Sequence, residues 1–463
     1  MSSPARALLR AALVLPDAAA DAIADGAVVV EDGRIASVGR YTALRRAYPL
    51  AAERGGGDLL ALPALVDAHS HGRALALAEQ DVEVGPLELF LARLTALTPL
   101  PAADEALVAG NDLLATGVAA AQVFFHRFSG AAEYRAQLAA TADGLDRSGV
   151  DAELVLGVTD RDEFVPPGTP PAVVALARPE RGVDADGFFA LFDAFAEERG
   201  LPPTVGPIAP QWCSERIWRE AAARGVRVHT HLLESEAQRA VYGSAPIELL
   251  DRTGVLDERL SVAHGVWLAP EDVALLAACG VTIVHCPGSN ARLGVGTARA
   301  RAWLDAGVAV ALGLDSLGAA EPPDVFAELR QARRAAAGLG APLSARAALG
   351  LATLGGAAAL GRDGELGTLA PGSAANVLLV RRPHGSGDPI DALVERATRK
   401  DVHEVWARGA LVVENGRPLR AAEAEAARRR LRALVRRDAP ARRRRLAEIA
   451  AAEPWLARAW RVS

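Results

Sequence analysis

Seven of the nine histidines fall where an apolar run gives out. His69 and His71 close "VDAHSH", His126 follows "VFF", and His229 and His231 form "VHTH". His264 ends "SVAH", His285 ends "TIVH", and Asp315 ends "VALGLD". Residues two apart in an extended strand project to the same side, so both imidazoles of a His-x-His pair can reach one point. Imidazole nitrogens with a carboxylate oxygen are what a divalent cation with N and O ligands takes, and His69, His71, His231 and Asp315 supply that set. An open coordination position then holds water, whose pKa the cation lowers toward neutrality, so that hydroxide is available for hydrolysis. Taken singly, each residue is a polar strand end or a turn residue; their conjunction carries the reading.

These residues need elements that bring their ends together. Strand-like runs cover 62–66, 118–125, 153–158, 204–208, 226–231, 260–263, 281–284 and 308–312, separated by helical stretches such as "ALVAGNDLLATG" and "PEDVALLAACG". Alternation of that kind predicts βα units around a parallel sheet. Eight strands make an α/β fold of the (β/α)8 TIM barrel type over residues 61–365, with all C-terminal strand ends at one mouth. Outside it, "VVVEDGRIASVG" and "VWARGALVVENGRP" are β-rich with hairpin turn signals. They predict a small β-sandwich built from both chain ends, residues 1–60 and 366–420. The Arg-rich segment 421–463 has the character of solvated amphipathic helices packed on the protein, broken around Pro440.

Composition narrows the partners. A net charge of -6 over 463 residues gives no reason to expect nucleic acid. Three irregularly spaced cysteines, Cys213, Cys279 and Cys286, fit a reducing compartment better than a disulfide framework. "ALLRAALVLP" is interrupted by Arg10 and reads as a first strand, and no run reaches the roughly 18 apolar residues of a membrane span. The expectation is a cytoplasmic protein acting on a small molecule, with room for a homo-oligomer and no membrane partner. Lys400 is the one lysine in the chain.

"LPALVDAHSH", "VHTHLLES", "SVAHGVWL", "HCPGSNARLG" and "VALGLDS" follow one another as in the amidohydrolase superfamily, and the chain resembles its cytosine deaminase-like and triazine hydrolase branch over nearly its whole length. The resemblance implies that His69, His71, His231 and Asp315 bind one zinc or iron ion. It also implies that Glu234, three residues after His231, shuttles a proton and that His264 orients and helps deprotonate the water, with Asp315 as ligand and general base. Two departures, Pro63-Ala64 where the branch has Pro-Gly and a "PGSAANVLLV" lacking its usual lysine and aspartate, lie outside that chemistry. Binuclear members mostly bridge two metals with a carboxylated lysine; with no lysine in the barrel, that bridge is excluded. Cys213, just after strand four, reads as a small buried hydrophobe rather than a substitute. The function implied is hydrolytic deamination of a nitrogen heterocycle or amidine. The alternatives are another leaving group, such as a substituted amine, chloride or cyclic amide, and a catalytically silent metal-binding scaffold. By location at the barrel mouth, Arg73, Gln80, His126, Gln211, Trp212, His285 and Asn290 are the candidate substrate contacts.

Overall fold

The computed structural model describes residues 6–126, 131–162, 164–177, 183–315, 323–383 and 387–462. Eight parallel strands, Leu65–Ser70, Val118–Phe125, Asp151–Val158, Thr204–Pro207, Val228–Leu232, Leu260–His264, Thr282–His285 and Ala309–Leu312, lie side by side in chain order. A parallel bridge between Ser70 and Asp315 brings the first strand back to the end of the last and closes the barrel. Both faces of these strands are buried, so they read as near-continuous apolar runs with little alternation.

A second sheet of eight strands takes Arg6–Val14, Ile23–Glu31, Arg34–Arg40 and Ala52–Pro63 from the first part of the chain and Val377–Arg381, Val402–Ala407, Ala410–Glu414 and Arg417–Pro418 from the last. The two sets meet where Ala52–Pro63 pairs antiparallel with Val377–Arg381. Val38 and Leu411, near opposite edges, pack on one buried cluster around Leu9, Val28, Leu379 and Trp406, so the sheet folds over its own core. The turn signals do what their composition demands. Asp32 and Gly33 (φ 48° and 76°) and Asn415 and Gly416 (φ 52° and 76°) occupy left-handed conformations that match a two-residue hairpin to the strand twist.

Two sequence expectations need correction. The run 62–66, read as the first barrel strand, straddles two strands of different sheets. Residues 52–63 belong to the chain-end sheet and 65–70 to the barrel, with Ala64 between them. Pro63, which has no N–H to donate, marks the break. His69 therefore lies within the first barrel strand, not after it.

The C-terminal segment, expected to break at Pro440, is a single helix, Ala421–Trp460, that passes through Pro440 and Pro454. A proline inside a helix frees a carbonyl of the preceding turn. Here the buried guanidinium of Arg442 braces that stretch by donating to Val435 O at 2.8 Å and to Thr98 Oγ1 at 2.9 Å. The other arginines follow suit: Arg428 pairs with Asp112 and Arg432 with Glu79, each at 2.7 Å. The far end of this helix inserts Trp460, fully buried and edge-on to Tyr242. Trp460→Ala is expected to lower stability by about 3–5 kcal/mol, the range for truncating a buried Trp, read as a shifted urea midpoint. A change below about 1 kcal/mol, typical of surface sites, would show the helix to be only loosely docked.

Candidate active site

Four side chains converge at the C-terminal mouth of the barrel. His69 Nε2 and His71 Nε2 each stand 3.4 Å from Asp315 Oδ1, and His231 Nε2 stands 3.3 Å from His71 Nε2. The backbone sets this arrangement. Asp315 N donates to His69 O at 2.7 Å and His71 N to Asp315 O at 3.3 Å, so the first and last strands are laced together at the ligand-type residues themselves. Asp315 and His264 adopt φ of 61° and 69°, left-handed conformations that cost a non-glycine residue about 1–2 kcal/mol.

An outer ring of acceptors fixes the imidazoles. His231 Nδ1 donates to Ile208 O at 2.8 Å, which leaves the lone pair on Nε2. His69 Nδ1 lies 2.8 Å from His229 Nε2, and His229 Nδ1 lies 2.8 Å from Ser261 Oγ. With His229 donating to Ser261 and His69 donating to His229, the lone pair of His69 also sits on Nε2. That atom is buried and has no hydrogen-bond partner. Inward lone pairs facing a carboxylate repel unless a cation lies between them. Donor atoms about 2.1 Å from a tetrahedral ion stand about 3.4 Å apart, and the His69–Asp315, His71–Asp315 and His71–His231 pairs have that spacing. The residues present therefore fit a divalent cation, with the outer partners orienting its ligands.

Next to this cluster a carboxyl, Glu234, lies close to an imidazole, His264. His264 Nδ1 is 3.0 Å from Asn290 Oδ1 and 3.6 Å from Glu234 Oε1. Burial pushes the Glu234 carboxyl up to about 7, against the opposing pull of His264 and with help from Asp315 and Glu88. Burial works against a charged His264, but the Glu234 and Asp315 carboxylates outweigh it and raise its pKa. Proton-transfer groups serve best with pKa values near the working pH. Beneath the cluster, Asp67 accepts from Leu314 N at 2.9 Å and His69 N at 3.2 Å. Burial lifts this carboxyl to about 8.

The cavity over the cluster is walled by Leu87, Phe90, Leu91 and Leu94 of the helix Leu87–Leu94 and by Phe164, Trp212 and Leu293. Arg73, His126 and Gln238 are polar residues that face it beside the catalytic candidates. Other candidates drawn from the sequence lie elsewhere. Gln80 spends its carbonyl on Thr98 N at 3.0 Å, and neither it nor Gln211 lines the cavity. His285 packs edge-on against Trp303 and does not line the cavity. Asn290 holds His264 instead of facing the cavity. Gln238 and Glu88 were not anticipated, although Ser235-x-x-Gln238 is a capping pattern that marks a helix start.

Residues 167–412 match the profile of the amidohydrolase family, and residues 26–51 that of a bacterial imidazolonepropionase-like composite domain. The chain is 30% identical to a 5-methylthioadenosine/S-adenosylhomocysteine deaminase of Moorella thermoacetica over 85% of its own length and 91% of that protein's. The chain belongs to the amidohydrolase family. This amidohydrolase is also 30% identical to an 8-oxoguanine deaminase of Pseudomonas aeruginosa over 83% of this chain and 89% of the other. Among solved structures, a zinc-containing adenosine deaminase from Xanthomonas campestris superposes with a TM-score of 0.77 at 25% identity, covering 94% of this chain and all of that one. A mutant of the atrazine chlorohydrolase of Arthrobacter aurescens complexed with zinc and atraton shares the fold, with a TM-score of 0.79 at 23% identity over 92% of this chain and 99% of that one.

Metal analysis of the purified protein is expected to give about one divalent ion per chain, since one four-donor cluster accounts for one tetrahedral site. His69→Ala and Asp315→Ala should each lose the ion, whereas Arg73→Ala should retain it. A reproducible content near two ions, or full occupancy in Asp315→Ala, would overturn this ligand assignment.

Proposed function

We propose that this amidohydrolase hydrolytically deaminates an amino-substituted nitrogen heterocycle, with aminopurines as the first class to test. The observation that carries this is the juxtaposition of the inward-facing donors of His69, His71, His231 and Asp315 with a Glu234–His264 pair, under an aromatic and aliphatic wall. Such a cavity suits a planar ring with an apolar substituent. We assign the four donors to one ion, zinc first and iron second, and the setting to the cytoplasm, where three free cysteines stay reduced. When bound, the ion supplies a water whose pKa is lowered toward neutrality.

The chain's own groups handle the protons. Asp315 and His264 take the proton given up as the water oxygen adds to the C=N carbon. Glu234 delivers a proton to the ring nitrogen and, after exchange, to the departing amine. Water and the C–NH2 unit thus become C=O and ammonia. Asn290 Oδ1 engages His264 Nδ1, which places the ring's lone pair on Nε2.

The test is ammonia release by metal-loaded enzyme across 5′-thioether adenosines, adenosine, guanine, 8-oxoguanine, cytosine and aminotriazines. Turnover of at least one is expected; turnover of chlorinated but no aminated rings would favour the dehalogenation alternative. Glu234→Gln cannot carry a transferable proton, so at matched metal content kcat on the amino substrate should fall about 10²- to 10⁴-fold. A chloride needs no proton to leave, so a chloro analogue should suffer less. Equal turnover of the amino substrate by both enzymes would remove Glu234 from the mechanism.

A further inference from the structure

The chemistry above leaves Gln238 unused. It lies in the helix Glu236–Tyr242, is 4% exposed, and lines the same cavity as Glu234. Its Oε1 accepts from Glu234 N at 3.1 Å. Among the described residues no backbone carbonyl takes that N–H, and the preceding Leu233 has φ 43°. The turn carrying Glu234 therefore does not hold itself with a helical or ladder bond. Without Gln238 it would bury an unpaired donor.

Gln238 is itself anchored. Its backbone N donates to Ser235 Oγ at 3.1 Å, and that hydroxyl donates to Glu88 of the helix Leu87–Leu94. The bond to Glu234 also fixes which end of the amide is which. A flip would set the NH2 group against the Glu234 N–H, donor against donor. With Oε1 held by the Glu234 N–H, the NH2 group is the end of the amide left to turn to the cavity.

We propose that Gln238 is the positioning residue for the Glu234 carboxyl and a specificity-determining donor to an acceptor atom of the heterocycle, a ring nitrogen or carbonyl oxygen. This rests on the deaminase reading for its second half and on the hydrogen bond alone for its first. A glutamate at this position would still hold the Glu234 amide but would offer the substrate no donor. A leucine would do neither.

The experiment compares full-length, metal-loaded wild type, Gln238→Glu and Gln238→Leu by hydrogen exchange at the Glu234 amide and by steady-state kinetics on the amino heterocycles above, each variant at its own pH optimum. Gln238→Leu is expected to keep its metal, to exchange that amide at least about tenfold faster as local opening becomes easier, and to lose about 10²-fold in kcat through misplacement of the carboxyl. Gln238→Glu is expected to restore slow exchange and most of kcat while keeping a KM raised about 5- to 10-fold by one lost hydrogen bond. Wild-type exchange and kcat in Gln238→Leu would overturn the positioning role, and a wild-type KM in Gln238→Glu the donor role. A wild type inert on every amino heterocycle would overturn the deaminase reading instead, and the exchange comparison would then decide the placement of Glu234 by itself.

Discussion

Lone pairs and a carboxylate crowded to within 3.3–3.4 Å of one another in a buried site repel, and much of the molecule is arranged to hold them there. Buried imidazoles resist protonation: burial holds His71 down to about 4 and takes His231 well below its ordinary range. Neutral rings cannot neutralise Asp315 by themselves, so the cluster is a standing demand for a cation. Part of the geometry that meets this demand is fixed by partners outside the cluster, Ile208 O for His231 and His229 for His69.

Bringing Asp315 to His69 requires the last strand to come very close to the first. A Cβ at Gly313 would stand 2.9 Å from both Cys286 Sγ and His69 Cβ, so no larger residue fits between the strand and the histidine. Two residues later the chain turns through a left-handed Asp315. The reciprocal backbone bonds between Asp315 and residues 69 and 71 hold that strained turn in place. Closure of the barrel and assembly of the cluster are thus one event. A fold that failed to close would leave the carboxylate away from the imidazoles.

The strands and the convergent histidines were legible because burial on both faces leaves uninterrupted apolar runs, and because ligand-type residues at their ends have a periodicity of two. What was illegible has physical reasons too. The run 62–66 hides a change of sheet, since neither half alternates and only Pro63 marks the seam. His285 ends its strand like His264 does, yet it packs against Trp303 and does not line the cavity, and nothing in its residue type signals that difference. Pro440 signals a break, yet the helix runs on through it, with Arg442 two residues on bonded to residues 98 and 435. Gln238 gave no sign of its role, because a hydrogen bond donated by a backbone N–H to a glutamine carbonyl four residues later depends on the unusual turn at Leu233.

The wall of the cavity is less tightly determined than its floor, and this bears on how the two work together. The floor is made of strand residues in a closed ladder, whereas the wall is largely one short helix, Leu87–Leu94, whose neighbours hold it from two sides. On the outside Arg93 makes a paired bond to Glu453 of the C-terminal helix, at 2.6 and 3.0 Å. On the inside Glu88 takes the hydroxyl of Ser235, the residue that follows Glu234. A ring pressed against Leu87, Phe90 and Leu91 therefore pushes on an element bonded to the loop that carries Glu234, the carboxyl proposed to transfer protons. Binding energy gained on the apolar wall is in this way available to seat Glu234 rather than only to hold the ring, which is the condition for such contacts to raise kcat as well as lower KM.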